Sequence, residues 1–521
     1  MFTANQYDRH VAARLLDFFR SEAPWQRSLW CSGLVLTLRE TLEASEAVQS
    51  RILSAETLSV LAESAVVLAG RDAGIASNDQ RRVLVQSLRG NLVPNGTDYA
   101  AIAQIAGDLE QTYLSNWAAS VLAPQRPRPE RAARAIAAHL LDVGFSPVQL
   151  HQWCTFQLND AQGAADLREL IVRMVDLLRK GTSHYKVLVG CQSVPQSLSG
   201  VPANFLPAKQ FSDWLRESGF SISGVRHNGA LLFRVEARDP WAAVQKTVET
   251  VTLLESRVAL GTTSRLRPLS QAWIEGINRP FPFVPERRRV EVHALHREDK
   301  LYSVEQASIV DAALELLGSL NSGAPSPAVA AGWAAIESLV TGPGDQDVVA
   351  ADRLAAVVAC SFPRAELTEL SYRIEQQGGQ LATELAACAT NRDRAAVISR
   401  EIKRGTTFTF PSDSDKAALS RIAEVIASPQ LTLRDLQSHV TAAFRRLYRN
   451  RNLVLHGGRT EAIGLRAALR TAAPLVGAGM DRIAHAWFVK RIRPMELAAK
   501  GRIAIEMTGT IGSADIVDLL E

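Results

Sequence analysis

Apolar residues recur every three or four positions along most of this 521-residue chain and alternate only in its middle. A period near 3.6 lines one face of a helix, and a period of two lines one face of a strand. The pattern therefore predicts a mostly α fold with a small α/β module inserted. Residues 1–123 read as an N-terminal helical domain, with helices over His10–Phe19, Leu29–Leu42, Ile52–Leu68, Arg81–Leu88 and Tyr99–Leu122. Arg20, Glu22, Arg39 and Glu40 fall on their solvated sides. Pro124-Gln125-Arg126-Pro127-Arg128-Pro129 carries three prolines in six residues, which forbids helix and favours a stiff extended spacer. Residues 130–182 resume as a helical segment, with Ser146-Pro147 in the form of a cap followed by proline at the first turn.

The period changes in residues 183–298. Lys186–Cys191 reads as a strand and Ala208–Glu217 as a helix. Phe220–Arg226 and Ala230–Val235 flank His227-Asn228-Gly229, a hairpin signal. Asp239-Pro240 opens a helix to about Leu260, and Arg289–Leu295 alternates as a last strand. The order β-α-β-β-α-β suggests a ferredoxin-like module. The 261–288 connection is long for a compact domain and has room for further structure. Residues 299–490 return to helical spacing, and 491–521 form a tail in which Arg502–Met507 alternates weakly as one more strand.

Composition narrows the function. A content of 47% hydrophobic and 21% charged residues is that of a globular protein, and a net charge of +4 selects no partner by itself. No apolar run reaches membrane-spanning length, and the N-terminus lacks the apolar region of a signal peptide. The five cysteines (Cys31, Cys154, Cys191, Cys360, Cys388) show no metal-ligand spacing and read as buried thiols, so the expected location is a reducing cytoplasm. There is no Gly-rich phosphate loop with its lysine and no Gly-x-Ser-x-Gly elbow. On a strand, His293 and His296 would point to opposite faces. Neither a metal nor a cofactor is expected. Arg287-Arg288-Arg289 reads as a solvated strand edge or as a nucleic-acid contact. His439 and His485 read as ordinary packed or surface residues.

One stretch stands apart. Thr432 and Asp435 have the form of a capping box, and Leu433, Leu436, Val440, Phe444 and Leu447 continue as one apolar stripe. Its next position is Arg451. An unpaired buried guanidinium is too costly to be filler, so either the helix breaks near Tyr448 or Arg451 faces a cleft or a partner chain. Arg449, Asn452 and His456 share one helical face. Arg451 and His456 lie about 140° apart on an ideal helix and converge only if the helix distorts or two copies meet. Gly457-Gly458 is a helix stop. Cations, an amide and an imidazole at one helix end are the groups needed to hold a phosphate and move a proton near neutral pH.

Arg451-Asn452-x-x-x-His456 resembles the Arg-x(4–6)-His signature of the HEPN superfamily, in the Arg-Asn-x-x-x-His form of its ribonucleases. Trp333-Ala334-Ala335-Ile336-Glu337-Ser338-Leu339 resembles the early helix of Apea-like HEPN domains. The resemblance covers about the last 200 residues and implies a HEPN-like helical bundle. It also implies a metal-independent endoribonuclease of bacterial antiviral defence or toxin–antitoxin function, working as a homodimer whose two motifs line one cleft. Arg451, Asn452 and His456 are then the catalytic candidates, Arg449, Glu337 and Tyr448 the supporting ones, and Arg445 and Arg446 the RNA contacts. Glu337 also reads as a solvated helix position. An antitoxin or sensor partner would act through residues 1–298. Two alternatives remain. One is a non-catalytic helical scaffold, or an RNA- or partner-binding protein with a degenerate HEPN domain. The other is a toxin modified on a tyrosine near the motif. Some members carry that tyrosine two places after the histidine, where this chain has Gly458, which leaves only Tyr448 close by.

Overall fold

The structure, a computed structural model, describes residues 1–521 except 1, 3, 4, 197–199, 221–225, 347 and 511. It is mostly helical, with one small antiparallel sheet. The Pro124–Pro129 stretch does interrupt helix, and Pro129 opens the next one at its first turn. It does not separate two cores. Val11, Leu109, Trp117, Ile136 and Leu170, from both sides of the prolines, belong to one apolar cluster. The chain turns back at the prolines, so that Gln6–Phe19 packs on Pro129–Asp142.

The sheet has strands β1 Ser183–Ser193, β2 Phe205–Pro207, β3 Gly229–Ala237, β4 Arg267–Ile274 and β5 Phe281–Pro282, in the order β2-β3-β1-β4-β5. Every pairing is antiparallel, with Val187 opposite Phe233 and Leu188 opposite Trp273. Alternation along β1 sends Val187, Val189 and Cys191 under the Pro240–Gly261 helix, and Leu188 under the Ala208–Glu217 helix. Both faces are thereby covered, which is why β1 is buried at consecutive positions. Asp239 caps the Pro240–Gly261 helix through the Ala242 N–H at 2.8 Å. The same carboxylate accepts the Ser146 N–H and hydroxyl, each at 2.8 Å, so one buried side chain joins two helix starts.

The expected strand over Phe220–Arg226 lies largely outside the described residues. The one expected over Arg289–Leu295 does not form. Arg289 turns left-handed, with φ +60, and Ala294–Arg297 is a short helix that carries His296, with His293 just before it. Arg288 and Arg289 bond to the end of the Ile309–Ser322 helix and to the loop after Gln6–Phe19 instead of to a neighbouring strand. Arg288 donates to the Leu320 and Gly323 carbonyls at 2.9 and 2.7 Å, and Arg289 to the Ala23 carbonyl at 2.5 Å. The missing pairing comes from β4, inside the long connection.

In the C-terminal part, Val310, Trp333, Leu354, Phe444, Leu475 and Leu497 share one core. The expected strand over Arg502–Met507 is instead the end of a Pro494–Met507 helix, because Leu497, Gly501 and Ile505 repeat at four and bury one face. Ala44, Ala47, Leu53 and Leu61 of the N-terminal region are part of this C-terminal core. The two helical regions are also tied by buried charges. Glu366, with no exposed surface, accepts from Arg27 at 2.8 Å and Arg421 at 2.6 Å. Among the described residues, no helix is long and apolar enough to cross a membrane. All five cysteines are free; Cys31 and Cys388 are half-buried rather than fully buried.

Candidate active site at the end of the 429–455 helix

The helix that carries the motif runs from Pro429 to Leu455 without a break. It starts three residues before the expected cap. Pro429 occupies its first turn, and Thr432 lies inside it with its hydroxyl bonded back to the Ser428 carbonyl. Past Leu447 the buried positions are Arg449, Asn450, Asn452 and Leu453, not Arg451. The inward stripe widens there because a second helix, Leu34–Gln49, covers the side where Arg446 and Arg449 emerge.

That helix supplies Glu40, only 1% exposed, which sequence alone placed on a solvated side. Both its oxygens accept from Arg446 Nε, at 3.0 and 3.1 Å. Arg449 Nη2 pairs with it at 2.7 Å. Burial pushes the Glu40 carboxyl up, but the two guanidiniums overcome this and hold it below the ordinary carboxylate range. Arg446 and Arg449 are 7% and 5% exposed. Arg446 is therefore not the surface RNA contact expected of it, and Arg449 is committed to Glu40. Arg445 remains partly exposed and pairs with Asp352 at 3.1 Å.

The other side of the helix end is open. Gly458 takes the left-handed conformation, φ +62, and its N–H reaches the Val454 carbonyl at 3.1 Å; the Arg459 N–H reaches Leu453 at 3.0 Å. These bonds close the helix in the manner of a glycine C-cap. His456 is the capping residue just outside the regular turns, and its side chain is exposed. Half-buried Arg451 donates from Nη1 to Asn452 Oδ1 at 2.8 Å, and the same nitrogen is 3.2 Å from His456 Nε2. A guanidinium can only donate, so Nε2 presents its lone pair to it. The 140° separation is overcome within one chain, because His456 sits beyond the helix proper and the arginine side chain is long. Asn452 is 8% exposed and fixes Arg451 from behind.

Tyr448 is half-buried, with its ring 4.8 Å from that of Trp333. Glu337 follows Trp333 by one turn on the Pro325–Val340 helix and is half-buried. His439 bonds the Asp435 carbonyl at 2.7 Å and lies 3.1 Å from an Arg134 nitrogen. His485 lies 2.8 Å from Glu298. Among the described residues no three His, Cys, Asp or Glu side chains are grouped closely enough to hold a metal ion. The arrangement at the helix end offers one cation and one imidazole in contact, reachable from solvent, with an amide orienting the cation. It can bind a phosphate oxyanion and exchange a proton beside it. Compared with models of known protein families, with curated proteins and with solved structures, the chain has no match.

Proposed function

We propose that this protein is a metal-independent endoribonuclease of the HEPN type. The single observation that carries the reading is the 3.2 Å approach of Arg451 to His456 at an exposed helix end, within the sequence Arg-Asn-x-x-x-His. RNA supplies its own nucleophile, the 2′-hydroxyl. Its oxygen attacks the adjacent phosphorus and the bond from phosphorus to the 5′-oxygen breaks. The products are a 2′,3′-cyclic phosphate and a 5′-hydroxyl. One proton leaves the 2′-oxygen and one arrives at the 5′-oxygen, and nothing is oxidised or reduced. His456 exchanges one of these protons, and Arg451 stabilises the charge that builds on the phosphoryl oxygens. Asn452 holds Arg451 in position. Each chain brings one such imidazole, so the second proton transfer calls for a second copy. A two-fold homodimer that brings two 429–455 helix ends together would supply it. Cleavage of host or invading RNA in bacterial antiviral defence or as a toxin is the role the resemblance implies. Residues 1–298 would then carry the sensing or restraining function.

The test is incubation of full-length protein with RNA in EDTA, alongside Arg451→Ala and His456→Ala. Cleavage by the wild type alone, with cyclic phosphate ends, is expected. Equal cleavage by all three ends the proposal, and 5′-phosphate products point to a metal-dependent enzyme. Gel-shift binding with no turnover favours the non-catalytic RNA-binding alternative.

A further inference from the structure

The helix that grips the motif through Glu40 reaches it a second time. Leu34–Gln49 is closed at its end by the Arg51 N–H on the Val48 carbonyl, 3.0 Å, and the Ile52 N–H on the Ala47 carbonyl, 2.8 Å. This closure uses a left-handed residue, and Arg51 takes that conformation with φ +59. Glycine is the usual occupant, because a Cβ is strained there. The next residue, Ile52, packs on the turn of the motif. A Cβ built on Gly457 would lie 3.1 Å from both Ile52 Cδ1 and Cγ2. Arg51 is thus one residue away from contact with the residue that follows His456.

Two other arginines adopt the same conformation, Arg289 at φ +60 and Arg491 at φ +53. Both are held by bonds inside the protein. Arg289 donates to the Ala23 carbonyl at 2.5 Å. Arg491 donates to Glu305 at 3.0 and 3.2 Å and lies over the Trp487 ring. Arg51 is exposed, and among the described residues its guanidinium has no partner. Two carboxylates in the last two turns of the same helix are engaged elsewhere. Glu43 accepts the Ile463 N–H at 3.2 Å, and Glu46 accepts the Tyr99 hydroxyl at 2.7 Å and lies 3.9 Å from Arg459.

We infer that Arg51 is a phosphate-binding residue of the same site, supplied by the N-terminal region to an RNA strand that crosses the His456 turn. The inference rests on the endoribonuclease reading. A guanidinium matches a phosphodiester in charge and in fork geometry. Arg51 and Arg451 then each hold a phosphate of one backbone, and a cation occupies a left-handed position where glycine would fold more easily.

The experiment uses full-length protein and a labelled 2′-O-methyl oligoribonucleotide, which binds but lacks the nucleophile. Affinity is measured by anisotropy over a range of salt for wild type, Arg51→Gly and Arg51→Lys. Arg51→Gly removes the cation and relieves the backbone in one step. Its affinity is expected to fall severalfold, and the slope of log affinity against log salt to flatten by about 0.7, one phosphate contact on a single strand. Its melting temperature is expected to stay level or rise. On cleavable RNA, KM rises and kcat holds, and Arg51→Lys restores most of the binding. Wild-type affinity and slope in Arg51→Gly overturn this inference alone. A lower melting temperature with no rescue by lysine marks a structural role and overturns it too. Absence of RNA binding and cleavage by the wild type removes the endoribonuclease reading, and this inference with it.

Discussion

Arg446 and Arg449 on one side, and Arg451 with His456 on the other, occupy the last turns of one helix and meet opposite fates. The first pair is covered by the Leu34–Gln49 helix and neutralised by Glu40. The second meets solvent, and among the described residues its bonds are to Asn452 and to each other. The same residue type is structural where a carboxylate from another region arrives and available for chemistry where none does. A count of cations near the motif could not separate the two groups; burial and partner do.

The contrast can be broken at several points. The largest effect is expected from Glu40→Ala, which leaves two guanidiniums buried without a counter-charge. Loss of one partner from a buried ion pair costs about 3–5 kcal/mol. Denaturant unfolding should show this, and replacing Glu40, Arg446 and Arg449 together by Leu, Met and Met should recover most of it. Next comes Arg451→Ala, for which the cleavage rate should fall by about 10²–10³. Its melting temperature should stay near that of the wild type, because the side chain is half-exposed. If Arg451→Ala instead unfolds the protein, the division between the two faces is wrong.

Acid sharpens the same comparison. Glu40 is held below its ordinary value, and so is Glu130, where burial is overcome by Arg14 and Arg421. A carboxyl that is more acidic folded than unfolded stabilises the fold above about pH 4.3, and that stability is lost as pH falls through the folded value. Melting temperature should therefore drop as pH is lowered from 5, and less steeply in Glu40→Gln. The smallest effect is expected from Arg445→Ala. Its ion pair with Asp352 is partly exposed, and such pairs contribute about 0.2–1 kcal/mol. If RNA affinity also drops in this variant, the open face extends back from Arg451 to include Arg445.

Much of this was legible in sequence, and two of the misses share a cause. Helical spacing and the Ser146 and Asp239 caps are local signals, settled within a few residues, and they stand in the structure. The motif also placed Arg451, Asn452 and His456 at a helix end. Glu40 was missed because it meets Arg446 across 406 positions, and a lone carboxylate in a helix looks solvated until its partner is known. The strand expected over Arg289–Leu295 failed for a similar reason. Its alternation was local, but the acceptors that claimed Arg288 and Arg289 were carbonyls at the end of the Ile309–Ser322 helix and in the loop after Gln6–Phe19.

The residues Ala44, Ala47, Leu53 and Leu61, seated in the C-terminal core, carry a consequence for how the molecule is made. They leave the ribosome first, and Val310 and Trp333, members of the same core, follow more than 240 residues later. At roughly 5–20 residues per second that is a wait of about ten to fifty seconds with an apolar flank uncovered. Arg451 and His456 emerge later still. The buried pairing of Glu40 with Arg446 therefore closes only after the 406 positions between them have been made, so the N-terminal carboxylate waits longer still for its cations.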